Sequence, residues 1–157
     1  MESLAQQVLS VCRRRGWVLA TAESCTGGMV AAALTEIAGS SDVVDRGYVT
    51  YSDTAKMQML GVLPATLDTY GAVSTQVAAE MADGALTAAG VDLAVSITGI
   101  AGPGPSEHKP EGRVCFGLAC KGHMTQFTTV EFGAIGRANV RQKSTQHALT
   151  LLLNAAE

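Results

Sequence analysis

Trp17-Val18-Leu19-Ala20-Thr21-Ala22-Glu23-Ser24-Cys25-Thr26-Gly27-Gly28 is the stretch on which the fold turns. Its first six residues are a short, nearly uninterrupted apolar run after Gly16, which reads as a buried strand. Small and hydroxyl residues then turn the chain sharply, and residues 29–38 resume at helical spacing until Gly39. A strand that feeds a helix through a glycine turn opens a crossover unit. The unit calls for a neighbouring parallel strand and for helices that cover the sheet.

The flanking sequence supplies both. Upstream, Leu4, Val8, Val11 and Cys12 mark a helix over residues 3–15, stopped by Gly16. Downstream, residues 43–51 read as a strand interrupted by Gly47, and Ser52 is placed to cap a helix over 53–60. Residues 64–70 form a helical turn, and Ser74 caps a longer helix that Gly90 ends. Residues 92–98 read as an apolar strand leading into a long loop over 99–112. Strands at 113–120 and 124–132 flank the hairpin signal Lys121-Gly122-His123, and a last helix runs over 136–155. The expected fold is α/β, one domain over residues 1–157, with helices on both faces of a mixed, mostly parallel sheet that ends in an antiparallel hairpin.

Composition narrows the function classes. The 157 residues are 47% hydrophobic, 4% aromatic and 16% charged, which disfavours disorder, a coiled coil and any charge-driven partner. A net charge of −3 gives no field to attract nucleic acid or an anionic membrane. The one basic run, Arg13-Arg14-Arg15, ends the first helix, where cations complement its dipole. Cys12, Cys25, Cys115 and Cys120 lack metal-ligand spacing, His108, His123 and His147 are scattered, and Met1-Glu2-Ser3 offers no basic leader. A cytoplasmic protein with reduced thiols, no bound metal and no membrane contact is expected.

Three segments carry possible chemistry. At the end of the first strand, backbone N–H groups near Thr26, Gly27 and Gly28 are expected to point outward at a helix start, where negative charge is favoured. A hydroxyl there suits a nucleophile with those groups as oxyanion donors, although Ser24 or Thr26 could equally be a plain helix cap. Cys25 is a rival nucleophile with no nearby histidine in sequence. The loop Ile97-Thr98-Gly99-Ile100-Ala101-Gly102-Pro103-Gly104-Pro105 could cradle a substrate backbone-first or serve as a rigid connector. Lys56 stands one turn into a helix, where the macrodipole disfavours a cation; if shielded it becomes a neutral base, and if exposed it pairs with Asp53.

Together these segments resemble the CinA C-terminal domain family over nearly the whole chain. The resemblance rests on Ala22-Glu23-Ser24-Cys25-Thr26-Gly27-Gly28, Ile37-Ala38-Gly39-Ser40-Ser41, and Tyr48-Val49-Thr50-Tyr51-Ser52 with Lys56. It continues through Gly71-Ala72-Val73-Ser74, Ser96-Ile97-Thr98-Gly99-Ile100-Ala101-Gly102-Pro103 and Lys109-Pro110. It implies a three-layer α/β/α sandwich and, since the family includes nicotinamide-nucleotide amidohydrolases, conversion of nicotinamide mononucleotide to nicotinate mononucleotide and ammonia in pyridine-nucleotide salvage. The implied catalytic residues are Ser24 as nucleophile, Lys56 as base, and Tyr51. Substrate contacts are implied at Glu23, Thr26, Gly27, Gly28, Thr98, Gly99 and Gly102, with Arg137 and Arg141 toward the phosphate. No cofactor and no metal are implied, and a homodimer is expected by analogy. Gly136 stands where the family often has an acid, Asp53 where it usually has Asn, and Thr54 replaces a common Glu. The competing reading is a non-catalytic nucleotide-binding or regulatory module of the competence/damage-inducible type.

Overall fold

The computed structural model describes residues 1–157. Helix α1 (Leu4–Arg15) starts at a capping box in which Ser3 and Gln6 bond each other's backbone, and ends at left-handed Gly16. Strand β1 (Leu19–Glu23) follows, then α2 (Met29–Thr35), a short 3-10 turn at Ser40–Asp42, and β2 (Val44–Val49). Helices α3 (Asp53–Leu60), α4 (Pro64–Tyr70) and α5 (Thr75–Ala89) lead to β3 (Leu93–Gly99). The hairpin strands β4 (Arg113–Cys120) and β5 (Gln126–Glu131) precede α6 (Arg137–Ala156).

Every expected element is present, and the differences are at the ends. β1 begins at Leu19 because the two residues before it are engaged elsewhere: the Trp17 N–H donates to Cys12 O, and the Val18 N–H to the Asp92 carboxylate. α2 stops at Thr35, short of Gly39. β2 stops at Val49 although the Thr50 N–H still donates to Glu23 O, because the chain then turns into α3.

The five strands lie in the order β2-β1-β3-β4-β5. β1 pairs in parallel with β2 and β3, whereas β4 is antiparallel to both of its neighbours, so four strands share one direction. One sheet face carries Leu19, Leu93, Val95 and Ile97 against Val8 and Leu9 of α1, Val30 and Leu34 of α2, and Leu152 of α6. The other carries small residues: Ala22 and Ala94 meet Val77, Met81 and Ala85 of α5. The close fit shows at Gly117, where a Cβ would stand 2.4 Å from Ala78 O. Alanine and glycine thus let α5 lie directly on the sheet.

The order 2-1-3 places a change of winding direction at β1. In open α/β sheets, ligands bind outside the strands' carboxyl ends at such a point. Here those ends deliver Ser24 after β1 and Thr98-Gly99 at the end of β3.

Candidate active site

The turn after β1 is fixed from several sides. The Ser24 N–H donates to Ile97 O at 2.9 Å, tying the residue to β3, and the Gly27 N–H closes the turn onto Ser24 O at 3.0 Å. Gly27 and Gly28 have φ of 57° and 103°, which side-chain-bearing residues rarely adopt. The Glu23 side chain is fully buried beneath the turn, where its carboxylate accepts from the Thr26 hydroxyl at 2.6 Å and from the Val30 and Ala31 N–H groups, both at 3.0 Å.

Of the donors expected to be free, Thr26, Gly27 and Gly28, only the Gly27 N–H is engaged. The start of α2 is already occupied by Glu23, and the Gly27 N–H is engaged within the turn. Neither Ser24 nor Thr26 caps the helix. The N–H groups of Cys25, Thr26 and Gly28 meet no acceptor of the protein.

The second component arrives from α3. Ser52 caps this helix by accepting from the Ala55 N–H, and Lys56 points inward one turn later. Its side chain is 1% exposed. Nζ lies 3.0 Å from Ser24 Oγ and donates to Thr50 O at 2.8 Å, with no carboxylate within ion-pair distance. Burial pushes the Lys56 pKa below the ordinary lysine value, and the charge of Asp53 opposes that only in part. Cys25 beside Ser24 moves the other way: burial pushes its thiol up to about 12, so it is protonated at neutral pH and a poor nucleophile.

A cavity of about 220 Å³ opens over Ser24 and Lys56. Thr98 and Gly99 line it from β3, Ala72 and Val73 from the segment before α5, and Tyr51, Asp53 and Arg137 from further out. The Thr98 hydroxyl donates to Ala72 O at 2.8 Å. Tyr51 is exposed, and its hydroxyl accepts from Arg137 Nη2 at 2.9 Å, while Arg137 Nη1 donates to Gly102 O at 2.7 Å. A larger groove, about 460 Å³, lies by Trp17 and Met124 near the other end of the sheet and contains none of these groups.

Of the residues singled out in the sequence, Ser24, Lys56, Tyr51, Thr98, Gly99 and Arg137 line one cavity. Glu23, Thr26, Gly27, Gly28, Gly102 and Arg141 do not; they build its walls from behind. Gly102 is where the Glu111 side chain packs, 2.5 Å from the position of a Cβ. Arg141 donates to the carbonyls of Cys25 and Thr26. Two contributors went unread. Thr50 supplies only a carbonyl, which any residue type could do. Glu111 bonds the N–H groups of Gly104, at 2.7 Å, and Gly136, at 3.2 Å, a role that local sequence around one acid does not announce.

Known proteins share this arrangement of chain. The nicotinamide-nucleotide amidohydrolase PncC of Escherichia coli strain K12 is 51% identical over 151 residues, covering 95% of this chain and 90% of that protein. A protein of the same name from Enterobacter agglomerans is 54% identical over 122 residues, covering 77% and 74%. The crystal structure of the competence/damage inducible protein CihA from Agrobacterium tumefaciens superposes with a TM-score of 0.92 at 47% identity, over 96% of this chain and 93% of that one. The model of the CinA C-terminal domain matches residues 1–156. The chain belongs to the CinA C-terminal domain family.

Proposed function

We propose that this protein is a serine amidohydrolase that deamidates nicotinamide mononucleotide to nicotinate mononucleotide and ammonia. The observation that carries the reading is the buried Lys56 Nζ, 3.0 Å from Ser24 Oγ. Burial lowers the Lys56 pKa and so favours the neutral amine, which can take the serine proton without a histidine. The substrate is suggested by the PncC relatives.

The reaction follows from these groups. Ser24 Oγ attacks the carboxamide carbon while its proton passes to Lys56 Nζ, and the carbonyl electron pair moves onto oxygen. The N–H of Cys25, which follows the nucleophile and lines the cavity, stabilises that oxyanion. As the intermediate collapses, the C–N bond breaks and Lys56 returns the proton to the departing nitrogen, which leaves as ammonia. Water, deprotonated by the now neutral Lys56, attacks the acyl ester; a second collapse frees the carboxylic acid and restores the Ser24 hydroxyl. Arg137 is the cation that lines the cavity beyond Lys56, and it is suited to the substrate phosphate.

Ammonia release from nicotinamide mononucleotide tests the proposal, with Ser24→Ala and Lys56→Ala expected to lose turnover and keep the fold. Binding of the nucleotide without turnover by the wild type would instead support a regulatory binding module. Proteins of competence/damage-inducible name within the same fold give that alternative its place.

A further inference from the structure

Arg141 lies on α6 one turn after Arg137, yet it faces a different target. Its Nε donates to Cys25 O at 3.0 Å and its Nη2 to Thr26 O at 3.4 Å. Gly27 eases the approach, since a Cβ there would crowd Nη2 at 3.3 Å. The guanidinium therefore grips two successive peptide units of the Ser24 turn from outside the cavity.

A trans peptide sends its N–H opposite to its C=O. The Thr26 carbonyl also accepts from the Met29 N–H at 3.0 Å; so held, it leaves the Gly27 N–H directed inward, where it meets Ser24 O at 3.0 Å. With the Cys25 carbonyl held, the Thr26 N–H is directed away from Arg141, and it meets no acceptor in the protein. Cys25 itself lines the cavity beside Ser24.

We infer that Arg141 is a positioning residue for the nucleophile turn: by holding the Cys25 and Thr26 carbonyls from behind, it fixes Ser24 and the adjoining Cys25 at the cavity, with the Cys25 N–H as oxyanion donor, when Ser24 attacks. This rests on the reading of Ser24 as nucleophile. It also replaces the phosphate role that the resemblance implies for Arg141, because the guanidinium is turned to backbone carbonyls.

The test compares wild type, Arg141→Lys and Arg141→Gln as full chains on nicotinamide mononucleotide and on nicotinamide riboside, which lacks the phosphate. A fluorophosphonate probe, with labelling of Ser24 followed by mass spectrometry, gives a readout independent of either substrate. Positioning predicts a kcat loss of at least ~10-fold in Arg141→Gln, below the ~10²–10³ that follows removal of an oxyanion donor. KM should stay within about twofold, as for an interaction made in the transition state alone. The loss should be equal on both substrates, Ser24 labelling should slow in parallel, and Arg141→Lys should recover part of it. A rise in KM confined to the phosphorylated substrate would make Arg141 a phosphate ligand. Unchanged kcat and labelling would remove its role altogether. Wild type that fails to label at Ser24, or turnover that persists in Ser24→Ala, would instead overturn the nucleophile and this inference with it. Thermal melts identify a variant that has lost its fold, and Arg141→Lys then decides the matter.

Discussion

Lys56 is a cation precursor placed where charge is resisted. Its Nζ has a hydroxyl and a carbonyl as partners and no carboxylate, and burial lowers its pKa from the ordinary 10.5. Below the folded-state pKa the amine is protonated and cannot take a proton from Ser24. Turnover should therefore rise with pH through that pKa, with a midpoint below 10.5. A profile of kcat/KM against pH checks this, and a limb centred at or above the ordinary value would contradict it. The same shift has a stability sign. The unfolded chain binds the Lys56 proton more readily, so this residue opposes folding below its folded-state pKa, and the opposition fades as pH rises toward 10.5. Cys25 gives a second prediction at this scale. Its thiol is pushed to about 12, so Cys25→Ala should retain most activity while Ser24→Ala does not. Ammonia release by the two variants separates the nucleophiles, and loss in Cys25→Ala equal to that in Ser24→Ala would count against the serine.

Helix α3 carries Lys56, and its far end is set by a contact that the chain alone does not advertise. Gly84 lies inside α5, where glycine usually costs about 1 kcal/mol relative to alanine. A Cβ at Gly84, however, would stand 1.9 Å from Leu60 O, so the two helices meet backbone to backbone. Gly84→Ala should then destabilise by about 1–3 kcal/mol instead of stabilising, and should weaken turnover by moving α3. A denaturant midpoint that rises in this variant would refute the contact. Element identity was legible because periodicity and caps are local: Ser52 and Ser74 accept the expected N-terminal bonds, and Ser3 does the same for α1. Element ends were less so. β1 is trimmed by the partners of Trp17 and Val18, one of them a carboxylate 74 residues away. No local pattern encodes such a partner.

At the scale of the molecule, the site is a meeting of four segments at one change of winding direction, and α6 fastens two of them. Arg137 holds Gly102 of one loop, and Arg141 holds Cys25 and Thr26 of the other. The sequence exposed Ser24, Lys56 and Thr98 because their chemistry belongs to their side chains. It left Glu23, Gly102 and Arg141 among the substrate contacts, since a buried carboxylate under a helix start or a guanidinium on a carbonyl depends on tertiary placement. The seating of α6 on the sheet therefore matters to function as well as stability, and His147 reports on it. This residue lies 4.5 Å from the Phe116 ring of β4, its Nε2 is buried without a partner, and burial lowers its pKa from 6.5. The unfolded chain thus takes up the His147 proton at higher pH than the native one. Native stability should decline as pH falls from 6.5 through the folded-state value, and level off below it. His147→Leu removes both the titration and the orphaned nitrogen. It should melt at higher temperature than wild type, and the segment of the pH dependence just below 6.5 should flatten. Thermal melts of both proteins between about pH 5 and 8, the range in which histidine titrates, check this; an unchanged slope in the variant would place the acid sensitivity elsewhere.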